Sequence, residues 1–89
     1  MLYFFETEAL KIGDLVILSG SESKVKESFD RTQYVWDDKM KHMLGKEFRV
    51  LLFDGDIIAL PSPDGSQGGK WYFHRSVVHK LGNQIMLRI

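Results

Sequence analysis

The residues that could do chemistry in this chain are few, and their spacing says more than their number. Histidine occurs at His42, His74 and His79, and cysteine is absent. A zinc site needs about four ligands converging at fixed distances, and no His-x-His or His-x₃-His pair is present. His74 and His79, five positions apart across an expected turn, are the best pair available. No metal and no other cofactor is expected. The carboxylates cluster at Asp37-Asp38 and around Asp54 and Asp56. The first pair suits the start of a helix and the second belongs to a turn, whereas an acid–base pair would need a cleft with opposed environments. No Gly-x-Ser-x-Gly elbow and no cysteine nucleophile occurs, so enzymatic activity is not expected. Asp64-Gly65-Ser66-Gln67-Gly68-Gly69 is glycine-rich, but it lacks the Gly-Lys-Ser/Thr ending of a phosphate loop and no helix is expected after it.

What remains is recognition chemistry. Trp36 and Trp71 could be ligand anchors, since aromatic residues dominate interface hot spots. They also fall on apolar periodicities, and a small domain needs bulky fillers, so core packing is the preferred reading. Tyr72, His74 and Arg75 are better candidates for a ligand-binding surface, because strand alternation puts Tyr72 and His74 on the face away from Trp71 and Phe73. Tyr34, near the entry of an expected helix, could join them. An ordinary solvated face is the preferred reading for all four, with ligand binding as the alternative. A basic set, Lys24, Lys26, Arg31, Lys39, Lys41 and Lys46, surrounds Tyr34 and Trp36 and suggests nucleic-acid or chromatin binding as an alternative. Glu22, Glu27, Asp30, Asp37 and Asp38 are interleaved with it and weaken that alternative.

The bulk numbers set the frame. With 89 residues the chain is read as one domain over its whole length. Hydrophobic residues make up 44% and charged residues 27%, which fits a folded globule. Twelve basic residues balance twelve acidic ones, without the basic excess that phosphate neutralisation requires. The absence of cysteine leans towards a reducing, intracellular and cytoplasmic setting. No apolar run is long enough to span a bilayer, and the first residues lack the basic segment of a secretory leader. A membrane partner is therefore not expected, and the domain is read as a monomeric unit within a larger chain.

The elements that must position these residues follow from periodicity. Lys46 to Pro61 reads as a β-hairpin, two apolar β-prone arms around Asp54-Gly55, with Pro61 ending the second arm. Before it, Ile12 to Leu18 reads as a strand opened by a Gly13-Asp14 turn, its continuous apolar run suggesting partial burial on both faces. Between strand and hairpin the spacing turns helical. Val25 and Phe29 lie four apart, and Trp36, Met40, Met43 and Leu44 form one stripe ending at Gly45, a short expected helix. After the hairpin come a turn-rich loop over 62–69, a strand Lys70–His74, a single helical turn from Arg75 to Val78, and a last strand Gln84–Ile89. Leu2–Phe5 could supply a further edge strand. The fold class expected is mainly β, a small SH3-like barrel of about five strands with a short helix inserted between the first strand and the central hairpin.

Several of these pieces together resemble the SH3-like repeat of Mind bomb-type E3 ubiquitin ligases. They are Gly13-Asp14-Leu15-Val16, Trp36 with Met40, Leu44-Gly45-Lys46, Arg49-Val50, Asp54-Gly55-Asp56, Trp71-Tyr72-Phe73, Val77-Val78 and Lys80-Leu81, and the resemblance covers residues 10–81. It implies a non-catalytic protein- or peptide-recognition module, the substrate-recognising part of a ubiquitin ligase. In that family such repeats grip the cytoplasmic tails of Notch ligands, while separate RING domains recruit the ubiquitin-loaded partner. The chain departs from the pattern where His74-Arg75 stands in place of Asn-Pro, in a longer loop at Gln67-Gly68-Gly69, and in holding one repeat copy. The Notch-ligand partner is therefore not carried over. A purely structural role inside a larger protein is the third reading.

Overall fold

The computed structural model describes residues 10–81 with the exception of Ser66. Within them the chain is mainly β. Six short strands form two three-stranded antiparallel sheets: β1 (Leu15–Leu18), β2 (Glu47–Arg49) and β6 (Val78–Lys80) in the order β2-β1-β6, and β3 (Leu52–Asp54), β4 (Ile57–Pro61) and β5 (Lys70–His74) in the order β3-β4-β5. No ladder among the described residues closes the two sheets into a barrel. One α-helix, α1 (Glu22–Ser28), lies between β1 and β2, as the helical spacing of that stretch leads one to expect.

The expected hairpin is real only in its second half. β3 and β4 pair with Asp54 opposite Ile57, so the turn is Gly55-Asp56 rather than Asp54-Gly55. Gly55 takes φ +62°, a backbone geometry glycine adopts without a Cβ penalty. Pro61 ends β4 as expected, being its last paired residue, opposite Lys70. The first arm divides between the sheets. Val50 donates its N–H to Asp14 at 2.9 Å and accepts from Gly13 at 2.8 Å, while the next N–H, that of Leu51, goes to Ala59 at 2.9 Å. The chain thus changes sheets within two residues, and the fully buried Val50 side chain pins the corner in the core. This division adds one strand to those expected, and Val78–Lys80, not expected as a strand, adds another, so the described residues hold six.

Two further expectations need correction. The stripe Trp36-Met40-Met43-Leu44 is not an α-helix but a 3₁₀ segment, Asp38–Met43. Only Met40 and Met43 are buried on it, and at three residues per turn this pair shares one face. Asp37 caps it by accepting from the Lys39 N–H at 2.9 Å. The α-helix is instead the earlier stretch, where Ser21 accepts from the Lys24 N–H at 3.3 Å and Val25 and Phe29 point into the core. β1 alternates between buried Val16 and Leu18 and half-buried Leu15 and Ile17. Burial on both faces belongs to β4, where Ile58, Ala59 and Leu60 are all enclosed.

β5 follows its alternation, with Trp71 and Phe73 inward and Tyr72 and His74 half-buried on the other face. Arg75–Val77 is the single turn expected, here a 3₁₀ turn. Val78–Lys80 then leaves that turn directly as β6, antiparallel to β1. The strands expected at Leu2–Phe5 and Gln84–Ile89 lie outside the described residues. The core joins both sheets and α1: Phe29 meets Phe73 with ring centroids 6.0 Å apart and Trp36 edge-on at 6.5 Å.

Candidate functional site

The irregular segment after α1 delivers Tyr34 to the surface. It follows a 3₁₀ turn, Phe29–Arg31, and Thr32 then acts as a clip. The Thr32 hydroxyl accepts the Tyr34 N–H at 2.9 Å, and its hydrogen lies within reach of the Phe29 carbonyl at 3.0 Å and the Tyr34 carbonyl at 3.2 Å. Such side-chain bonds give a non-helical backbone the partners that a ladder would otherwise supply. Further along, Trp36 donates its Nε1–H to Asp38 at 2.9 Å, and Lys26 Nζ lies 5.5 Å from the Trp36 ring centroid. The segment carrying Tyr34 is therefore tied down on both sides.

Tyr34 lands on Tyr72. The two rings stack with centroids 4.8 Å apart and planes inclined by 13°. An offset aromatic pair of this kind contributes about 0.5–1.5 kcal/mol beyond its buried area. Beside it opens a cleft of about 320 Å³ lined by Gln33, Tyr34, Val35, Asp37, Met40, Lys70, Trp71 and Tyr72. Its floor comes from residues of the core, Met40 and Trp71, which are 2% and 7% exposed. Val35, 78% exposed, stands at its rim. Three other apolar side chains, Leu51, Leu52 and Phe53, are exposed on and beside β3, which forms one edge of its sheet.

Of the four residues expected to bind a ligand, the fold brings two together. Tyr34 and Tyr72 share the cleft wall, while His74 and Arg75 lie outside its lining. His74 shares the outward face of β5 with Tyr72, but its Nδ1 accepts from the Ser76 N–H at 3.1 Å and lies 2.8 Å from the Ser76 hydroxyl. It caps the 3₁₀ turn that follows. Arg75 is exposed, and its backbone N–H donates to the Asp56 carbonyl at 2.8 Å, tying that turn to the β3–β4 turn. Six lining residues, Gln33, Val35, Asp37, Met40, Lys70 and Trp71, are not among the four expected to bind a ligand. Lys70 carried a signal, since it lies two residues before Tyr72 and so shares its face of β5.

Trp71 sits in the core, and Trp36 packs half-buried against it. Among the described residues no three His, Cys, Asp or Glu side chains gather in a way that could hold a metal ion, and no helix is long and apolar enough to cross a membrane. Of the basic set, Lys24 and Arg31 line a second hollow of about 300 Å³ with Glu27, Ser28, Ser76 and Val77, and Lys26 pairs with Glu22 at 2.9 Å. Glu22 and Glu27, interleaved in the sequence with the basic residues, thus also stand beside them in space.

The pKa of Asp14 is lowered, first by the hydrogen bond its carboxylate accepts from the Lys11 N–H at 2.8 Å, and further by Lys80, whose ammonium lies 3.5 Å away. Desolvation opposes the shift without reversing it. Asp14 is a structural group at the start of β1, on the backbone turn that receives Val50, and does not line the Tyr34–Tyr72 cleft.

No family model matches the chain, and no curated protein matches it.

Proposed function

We propose that this chain is a non-catalytic module that recognises a peptide segment of another protein in the cleft beside Tyr34 and Tyr72. The observation that carries the reading is the stacked tyrosine pair standing over an open apolar cleft with Met40 and Trp71 as its floor. Rigid aromatic walls offer large contact area at little cost in side-chain entropy, and a cleft near 300 Å³ is at the small end of ligand sites, a fit for one or two side chains. The resemblance to Mind bomb-type repeats supports the same reading. It suggests a host protein of the ubiquitin-ligase kind working in the cytoplasm, where this unit would hold a substrate while other domains act on it.

The test is selection of binding dodecapeptides from a random displayed library on the intact domain, followed by affinity measurement with Tyr34→Ser and Tyr72→Thr. Each substitution is expected to weaken the selected peptides by at least about tenfold, as loss of a hot-spot aromatic does, and to lower the thermal midpoint by several degrees through the lost stack while the domain still folds. Peptides that bind both variants as tightly as the parent would overturn the site.

A further inference from the structure

The polar groups around the cleft are almost all donors or able to donate, and few of them are occupied. Lys70 is half-buried on β5, and among the described residues its ammonium has no ion pair or hydrogen bond. The same holds for the hydroxyls of Tyr34 and Tyr72 and for the side-chain amide of Gln33. The one carboxylate in the lining, Asp37, already accepts the Lys39 N–H at 2.9 Å as a helix cap. The Lys70 ammonium, which can only donate, thus has no protein acceptor among the described residues, and two phenols and an amide beside it can donate as well.

We infer that the cleft selects an extended peptide in which an aliphatic or proline side chain is followed within a residue or two by an aspartate or glutamate. The apolar side chain would lie on Met40 and Trp71 between the tyrosine pair and Val35. The carboxylate would meet Lys70, with a tyrosine hydroxyl or Gln33 as its second donor. Charge-assisted bonds of this kind are about twice as strong as neutral ones. A basic side chain at the same place would meet Lys70 at close range. A like charge there rejects wrong partners, which is how a shallow cleft gains specificity.

This inference rests on the peptide-recognition reading, and the experiment separates the two. Peptides selected on the parent domain are synthesised in matched triplets that carry Asp, Asn or Lys at the acidic position. Their affinities are measured on the parent, on Lys70→Met and on Lys70→Glu, and their contacts are mapped by backbone amide shifts. The Asp peptide is expected to bind the parent at least tenfold more tightly than the Asn peptide, to lose that advantage on Lys70→Met, and to fall behind the Lys peptide on Lys70→Glu. Lys70→Met retains the apolar stem, so a loss there reports charge rather than packing. If selected peptides shift the amides of Tyr34, Trp71 and Tyr72 but bind the same with Asp, Asn or Lys, the cleft stands and the acidic specificity is wrong. Should no peptide shift those amides, both the site and its specificity are wrong.

Discussion

Removing the Trp71 ring is the sharpest probe of how cleft and core are joined. Trp71 is 7% exposed, pairs across the sheet with the fully buried Leu60, and forms the cleft floor with Met40. Burial of a large aromatic takes about 150–250 Å² out of water, which at about 25 cal/mol/Å² amounts to about 4–6 kcal/mol. Because a denatured chain is itself partly collapsed, the loss expected for Trp71→Ala is about 3–5 kcal/mol. A chain of 89 residues has a total stability of about 4–13 kcal/mol at the usual 0.05–0.15 per residue, so one substitution removes a large share of it. Urea denaturation followed by circular dichroism should show the midpoint falling by about 3–5 M, taking a slope near 1 kcal/mol/M. Trp71→Phe keeps an apolar ring and should cost about half as much or less. A loss below about 1 kcal/mol for Trp71→Ala, with the slope unchanged, would refute the core assignment and make Trp71 a surface anchor.

Other outcomes follow from single features. Thr32→Val removes the hydroxyl that clips Tyr34, so peptide affinity should fall several-fold while the melting temperature drops only slightly; equal affinity would mean the clip does not position the ring. Gly55→Ala places a Cβ at φ +62° in open space, so the loss, about 1 kcal/mol in thermal denaturation, should come from backbone strain alone. Asp14 titrates at lower pH folded than unfolded, where the ordinary value is 3.8, so its contribution is complete above 3.8 and is lost as the pH falls through the lower folded value. Acid denaturation of Asp14→Asn should be correspondingly shallower than the parent's, and parallel curves would contradict this. Finally, a chelator should leave the thermal midpoint unchanged, and a fall of several degrees would show that a metal contributes to folding.

How much of this was legible in the sequence depended on whether the signal was local. Lys70–His74 could be read because a period of two assigns each side chain a face, and Trp71, Tyr72, Phe73 and His74 take the sides so assigned. The turn at Arg75–Val77 and the positive φ at Gly55 were local too. The division of the first hairpin arm was not, because it depends on distant partners, Gly13 and Asp14 for Val50 and Ala59 for Leu51. An apolar run reads the same whether it serves one sheet or two. The stripe from Trp36 to Leu44 misled for a related reason, since positions three apart satisfy a 3₁₀ turn as well as an α-helix. At the site, Tyr34 and Tyr72 could be named as ligand-binding candidates, but 38 positions separate them, and only the tertiary fold stacks them. The second use of His74, its Nδ1 accepting the Ser76 N–H as a cap for the next turn, carried no signal in the strand alternation that placed it beside Tyr72.

The claim that the Tyr34–Tyr72 cleft is where this domain meets its partner is tested most directly by an amide-shift map of the intact domain with a peptide selected on it. The largest shifts should fall on 33–37 and 70–72, on the cleft lining, and should be lost in Tyr72→Thr at the same peptide concentration. Shifts concentrated instead on Leu51, Leu52 and Phe53 beside the β3 edge, or on Lys24, Arg31 and Ser76 in the second hollow, would contradict it.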